Sequence, residues 1–435
     1  MNPLAKELNE QIRKSSPDAF ELLSERGRAL YFPRGILTQT AEAKEKAHRF
    51  NASIGVATED HAPMALPSIL EHLRDIDPRD AVTYAPASGK PELRAAWREK
   101  LEAENPTLRG KTFGVPIVTS AITHGLALVG DLFVDPGDRM VLPNHLWGNY
   151  RLTYEVRLGA KIETFPTYDD AGLFNVAGLR STLASGPEKQ ILLLNFPNNP
   201  TGYMPGRREV EGIRDAIAAA AESGKRILAI TDDAYFGLNY DDHALEESPF
   251  GYLADVHPRV LTLKLDAATK ELFVWGLRCG FLTFAAPAGV ADPDPLLSAL
   301  ERKTMGAIRG GISNSPHISQ SLVLAALRSP TIDAERKQKL DVLTARAHKV
   351  RDVVYRDAYK ESLDVYPFNA GYFMCIRVKG VDAEALRVHL LDKHGVGLIS
   401  IGATDIRVAL SCLEVDEIEP MFQIVHEAIG ELKAS

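Results

Sequence analysis

Lys270 follows a threonine, and Arg278 stands eight positions further on, with Gly276 and Gly280 on either side of it. An amine held against apolar walls loses its charge, because burial penalises the ammonium form. A neutral lysine amine attacks a carbonyl and forms an imine. A guanidinium close by suits a phosphate, to which its planar fork makes paired hydrogen bonds. The stretch from Thr269 to Gly280 lies just past an apolar run, Val260 to Leu265. A lone lysine also reads as a solvated surface charge, so this chemistry needs partners from elsewhere in the chain.

Candidate partners stand at the ends of other apolar runs. Ile191 to Leu194 leads into Asn195-Phe196-Pro197-Asn198-Asn199-Pro200-Thr201-Gly202. The prolines and glycine fix a turn, and Asn199 can donate from its amide. Ile227 to Ile230 leads into Thr231-Asp232-Asp233-Ala234-Tyr235. Two acids at the end of an apolar strand are out of place in a core; capping a helix is the plain alternative. Arg407 lies inside another apolar run, Ile406 to Leu410, and a strand-embedded arginine needs a partner, either a substrate carboxylate or a nearby acid. An imine-forming lysine beside a phosphate clamp suggests pyridoxal phosphate.

The elements that must carry these residues alternate. Strand-like runs Val115 to Thr119, Met140 to Leu142, Ala160 to Phe165, Ile191 to Leu194, Ile227 to Ile230, Val260 to Leu265 and Gly280 to Phe284 are separated by helical or turn segments. Continuous apolar runs of this length suit strands buried on both faces. Repeated β–α alternation predicts an α/β fold with a mostly parallel sheet between helices, and such sheets bind ligands beyond the carboxyl ends of their strands. The first thirty residues read as helix, Pro33-Arg34-Gly35 as a turn, and the last hundred residues as a smaller α+β unit with strands at Leu363 to Tyr366, Phe373 to Val378 and Ile406 to Leu410.

Composition sets the class. The chain has 435 residues and a net charge of −8, which gives no reason to expect a nucleic-acid partner. Cys279, Cys375 and Cys412 lack metal-ligand spacing, and no metal is expected. There is no basic start followed by an apolar run and no membrane-length apolar segment, so cytoplasm is the default expectation. The absence of Gly-x-Gly-x-x-Gly after a strand argues against a nicotinamide dehydrogenase.

In this order, the motifs resemble fold-type I pyridoxal-phosphate aminotransferases, and among them the aspartate/aromatic branch. The resemblance runs from about Asn51 to Arg407. It implies a large cofactor domain, residues 62–340, with a seven-stranded sheet. A small domain would be built from residues 1–61 and 341–435. It implies that Lys270 forms the imine, that Asp232 pairs with the pyridine nitrogen, and that Tyr235 and Asn199 bond the ring oxygen. Arg278, Thr269 and the helix start at Ala121, Ile122 and Thr123 would hold the phosphate, and Trp147 would stack on the ring. Tyr84 would reach the phosphate of a neighbouring subunit, which implies a homodimer with shared sites. Arg407 would clamp the substrate α-carboxylate near Ser53 and Ile54. Arg309, with Ser313, would reach the other subunit's site and bind a side-chain carboxylate. The implied reaction is ping-pong transfer of an amino group from aspartate, glutamate or an aromatic acid to a 2-keto acid. A lyase on the same fold is the rival, since fold does not fix reaction. Two departures stand out: Ala267 lacks a hydroxyl often found near the phosphate, and Ser53 replaces a common glycine.

Overall fold

A computed structural model describes residues 1–31 and 35–434. Its centre is a seven-stranded sheet of β1 (Ile117–Thr119), β2 (Arg139–Pro143), β3 (Lys161–Phe165), β4 (Lys189–Asn195), β5 (Arg226–Asp232), β6 (Val260–Ala267) and β7 (Gly280–Ala285). The order across the sheet is β1-β7-β6-β5-β4-β2-β3. Neighbours from β3 through β6 run parallel, and β7 is antiparallel to both β1 and β6. Strands β4 and β5 are buried over all but their first residue, as central strands covered on both faces must be.

Register places the chemistry. Asn195 at the end of β4 pairs with Asp232 at the end of β5, and Asp232 pairs with Leu265 near the end of β6. The last residues of β4 and β5 are therefore level, and β6 runs two residues past them. Strand β7 runs the other way, so it begins where the others finish: Gly280 lies opposite both Ala267 and Thr119. Arg278, two residues before β7, arrives at the same edge by this reversal.

A second sheet holds β8 (Leu363–Val365), β9 (Phe373–Val378), β10 (Ile399–Ile401) and β11 (Asp405–Ala409), in the order β8-β9-β11-β10 and all antiparallel. The helix Val415–Ala434 packs along the 23-residue helix Ile332–Val354. The N-terminal segment joins this part: Phe50–Asn51 pairs with Val396–Gly397, and Arg387 holds Glu42 at 2.9 Å.

Some local expectations differ. The first thirty residues form three helices, Pro3–Ser15, Pro17–Glu21 and Glu25–Ala29, because Pro17 restarts the chain and Ser16 and Ser24 cap new turns. The turn expected at Pro33-Arg34-Gly35 lies outside the described residues except for Gly35. Strand β10 is an addition to the sequence reading; it has only three residues and carries Ser400 at its centre. Asp232 and Asp233 cap no helix; Asp232 Oδ1 instead accepts from the Ala234 N–H at 3.2 Å.

Candidate active site

A cavity of about 270 Å³ opens at the carboxyl edge of the large sheet. Its walls bring together Ala121, Ile122 and Thr123, Trp147, Asn199, Asp232 and Tyr235, Thr269, Lys270 and Arg278, and Arg407 from the second sheet. A recess of about 840 Å³ lies elsewhere, walled by Glu104, Arg207, His243, Glu247 and Arg336. Its charges are largely engaged, with Glu104 on Arg336 and His243 on Glu209, and it offers no comparable nucleophile.

Lys270 ends the first turn after β6. Its amine lies 5.0 Å from the centre of the Tyr235 ring, and its carbonyl accepts from the Tyr372 hydroxyl at 3.1 Å. Burial brings the amine down to about 8; nearby Asp232 opposes the shift and Arg278 adds to it. The lysine is thus far more available as a neutral nucleophile than one in water.

Asp232 is 2 % exposed and accepts from the Tyr150 hydroxyl at 2.6 Å. Burial raises this carboxyl to about 6, while the Tyr150 bond and the Lys270 charge pull it back down. Such a group gains from a cationic nitrogen placed against it. Asn195 locks the strand end, donating to the Asp232 carbonyl at 2.9 Å and accepting the Asn199 N–H at 2.8 Å. Behind Asp232, Asp233 pairs with the buried Lys264, whose amine is also 3.6 Å from Asp266. Trp97 donates to Asp266 at 2.9 Å.

The opposite end suits an anion. The helix Ala121–Phe133 begins with no side-chain cap, so its first N–H groups point outward without intrahelical partners. Ala121 takes a φ of 63° to start that turn. Arg278 makes no ion pair or side-chain hydrogen bond among the described residues. Thr269 Oγ1 is buried without a partner. A phosphate answers all three needs, and Thr269 offers a hydroxyl two residues from Ala267, which has none. The donor set therefore fits a flat, phosphorylated ring with a basic nitrogen at the Asp232 end.

Arg407 is 2 % exposed and forms no ion pair among the described residues. It donates to Asn199 Oδ1 at 3.2 Å and to the Ser53 carbonyl at 3.1 Å, and its guanidinium lies 4.1 Å from the Phe373 ring centre. Its Nε is buried and unpartnered. Ser53 contributes its carbonyl, while its hydroxyl turns to Asn51 at 2.6 Å. Ile54 does not line the cavity, although its neighbour Gly55 does. Tyr84 is 90 % exposed and Arg309 lies on the exposed side of the helix Asp294–Gly311, donating to Ser313 Oγ at 2.6 Å; neither enters this chain's cavity. Sequence reading missed Tyr150, Asn195, Tyr372 and Phe373. Tyr150 stood in the quoted Trp147 segment, but only contact with Asp232, 82 residues away, gives it meaning.

A family model described as aminotransferase class I and II matches residues 49–423. The cytoplasmic aspartate aminotransferase of Schizosaccharomyces pombe is 26 % identical over 71 % of this chain and 74 % of its own length. An arginine–pyruvate transaminase of Pseudomonas aeruginosa is 22 % identical, covering 73 % of each chain. Among solved structures, an aminotransferase from Anaerococcus prevotii superposes with a TM-score of 0.81 at 22 % identity, covering 94 % of this chain and 98 % of that one.

Proposed function

The chain belongs to the aminotransferase class I and II family of pyridoxal-phosphate-dependent transaminases, and from that premise we propose that it moves the amino group of a dicarboxylic or aromatic L-amino acid to a 2-keto acid in the cavity around Lys270. The observation that carries this reading is Arg407: a buried guanidinium with no counter-ion among the described residues, facing a nucleophilic lysine across one small cavity. A charge so buried is costly until an anion joins it, and an α-carboxylate supplies a planar partner for both nitrogens.

Pyridoxal phosphate, when bound, supplies the electron sink for this chemistry. Arg278, Thr269, Thr123 and the first N–H groups at Ala121 and Ile122 would hold its phosphate, and Asp232 its ring nitrogen. Tyr150 keeps Asp232 oriented. Tyr235 and Asn199 stand where they can bond the ring oxygen, and Trp147 can cover the ring. Arg407 fixes the amino acid by its carboxylate, with Asn199 and the Ser53 carbonyl aligning the guanidinium. Lys270 then takes the proton from the substrate Cα and gives it back further along, which its depressed basicity suits. Both half-reactions would use this one site, so the kinetics would be ping-pong.

The cavity's cations are Lys270, Arg278 and Arg407. With these three engaged, a second substrate carboxylate has no cation in the same chain's cavity. This supports assigning Arg309 to a partner's site, and with it a homodimer in which Tyr84 also crosses over. The pairing of Phe50 with Val396 supports a small domain assembled from residues 1–61 and 341–435, set against a large domain of residues 62–340. Among the described residues no helix is long and apolar enough to cross a membrane; the likeness to a cytoplasmic aspartate aminotransferase supports a cytoplasmic setting.

The test is spectroscopic. Purified protein loaded with the cofactor should lose its visible band on addition of L-aspartate or L-glutamate and regain it with a 2-keto acid, while Lys270→Ala should stay folded and lose turnover by more than about a thousandfold. Release of ammonia without return of the band would move the assignment to a lyase. Near-normal turnover in the Lys270 variant would reject the site.

A further inference from the structure

The helix Ala383–His389 continues directly into a π-helical turn, Leu390–His394. In an α-helix, residues five apart point about 140° away from each other. The wider π turn absorbs the extra residue and brings them to one side. His389 and His394 are aligned in this way, with ring centres 5.5 Å apart. Across from them, on the helix Val415–Ala434, one oxygen of Glu431 lies 2.5 Å from His389 Nε2 and 3.1 Å from His394 Nε2. Two imidazole nitrogens and a carboxylate oxygen therefore converge within 4.8 Å of one another.

We propose that these three side chains form a binding site for a divalent transition-metal ion of the zinc type, separate from the catalytic cavity. Imidazole and carboxylate together are a ligand set that zinc accepts, with water completing the shell. Ligand atoms about 2.0–2.2 Å from a tetrahedral ion stand roughly 3.3 Å apart, so the observed spacing needs side-chain shifts of under about 1 Å. The backbone that presents the histidines is fixed. Leu390 and Leu391 are buried, and Lys46 pairs with Asp392 at 2.9 Å. Gly395 ends the turn at a φ of 65°, with the His48 ring where a Cβ would project. The Gly395 carbonyl also accepts the Arg49 N–H at 3.0 Å. The histidine side chains are only 21 % and 18 % exposed, whereas Glu431 is 49 % exposed, leaving the outer face of the site open to water. An ion here would clip the C-terminal helix to the helix and π turn that precede β10.

The experiment titrates Zn2+ into the tag-free holoenzyme by calorimetry and follows Tm against free Zn2+. One ion per chain and a Tm that climbs with Zn2+ are expected. His394→Gln and Glu431→Gln should each weaken binding by at least the roughly 10- to 100-fold that loss of an outer-shell partner costs. The same change at the exposed His72 should leave it alone. Unchanged transamination in the presence of chelator would establish that the variants fold. Failure of the native protein to take up Zn2+ would reduce the cluster to an ion pair and overturn the proposal. Equal uptake by the native protein and the His394 variant would place the ion elsewhere and overturn it too.

Discussion

Lys270 and Asp232 shift each other in opposite directions, and each owes its state mainly to burial. Because the Lys270 amine sits at about 8, its neutral fraction rises tenfold per pH unit below that value and levels off above it. Uptake of the cofactor aldehyde by the apoprotein should follow the same curve when its visible band is timed between about pH 6 and 9. A rate that keeps climbing towards pH 10 would mean that the lysine is as well hydrated as a free one. Tyr150 offers a second check. Its bond holds the Asp232 carboxyl below the value that burial alone would set, so Tyr150→Phe should push that group above about 6 and weaken its grip on a cationic nitrogen. Hydrogen bonds to charged groups contribute about 1.5–3 kcal/mol, so cofactor dissociation should rise by roughly 10- to 100-fold. Unaltered cofactor affinity would remove Tyr150 from the site. This contact was hidden in the sequence because a tyrosine gives no sign of its partner. Arg407, by contrast, was legible: a permanent charge inside an apolar strand is an anomaly at any position. Only the folded structure shows that no acid among the described residues answers it.

At the scale of elements, the turn after β4 and the strand β9 meet at one glycine. Gly202 has a φ of 76°, and a Cβ there would lie 1.9 Å from the Phe373 carbonyl oxygen. Its own carbonyl accepts the N–H groups of Asn369 and Ala370, each at 2.9 Å. The Asn-Pro-Thr-Gly turn is thereby pressed against the sheet that carries Arg407, and Asn199, three residues earlier, reaches that arginine directly. Gly202→Ala should therefore cost roughly 1–3 kcal/mol of stability through strain and overpacking, and should also raise KM for the amino acid about tenfold as Asn199 and Arg407 separate. Thermal melting and steady-state kinetics on the same preparation measure both. A stability loss with KM unmoved would show that the contact is structural alone. The long elements were readable because apolar runs and helical periodicity act locally. Strand β10 and the π turn were not, since three residues around a serine, and one extra residue in a helix, leave no periodic trace; packing from distant segments decides them.

At the scale of the molecule, the cavity built by one chain is lined by three cations, Lys270, Arg278 and Arg407, and the proposed roles of these three leave none for a second substrate carboxylate. Tyr84 and Arg309 both stand on the outside. If each serves the site of a twofold-related copy, Lys270 and Arg309 of one chain belong to different sites. That reading has a sharp consequence for mixtures. Lys270→Ala homodimers have no working lysine, and Arg309→Ala homodimers should lose most of their rate with L-aspartate while keeping much of it with an aromatic acid. A heterodimer of the two variants gathers both lesions in one site and leaves the other intact. Equal mixing after reversible dissociation makes about half of the dimers hybrid, so about one quarter of all sites should be whole again. L-Aspartate turnover should recover to roughly that fraction of the native rate. If Arg309 acts within its own chain, no whole site can form, and the mixture will show only the sum of its parents. Because both parents are measured alone beside the mixture, recovery above the sum of their separate rates reports how the site is shared between subunits.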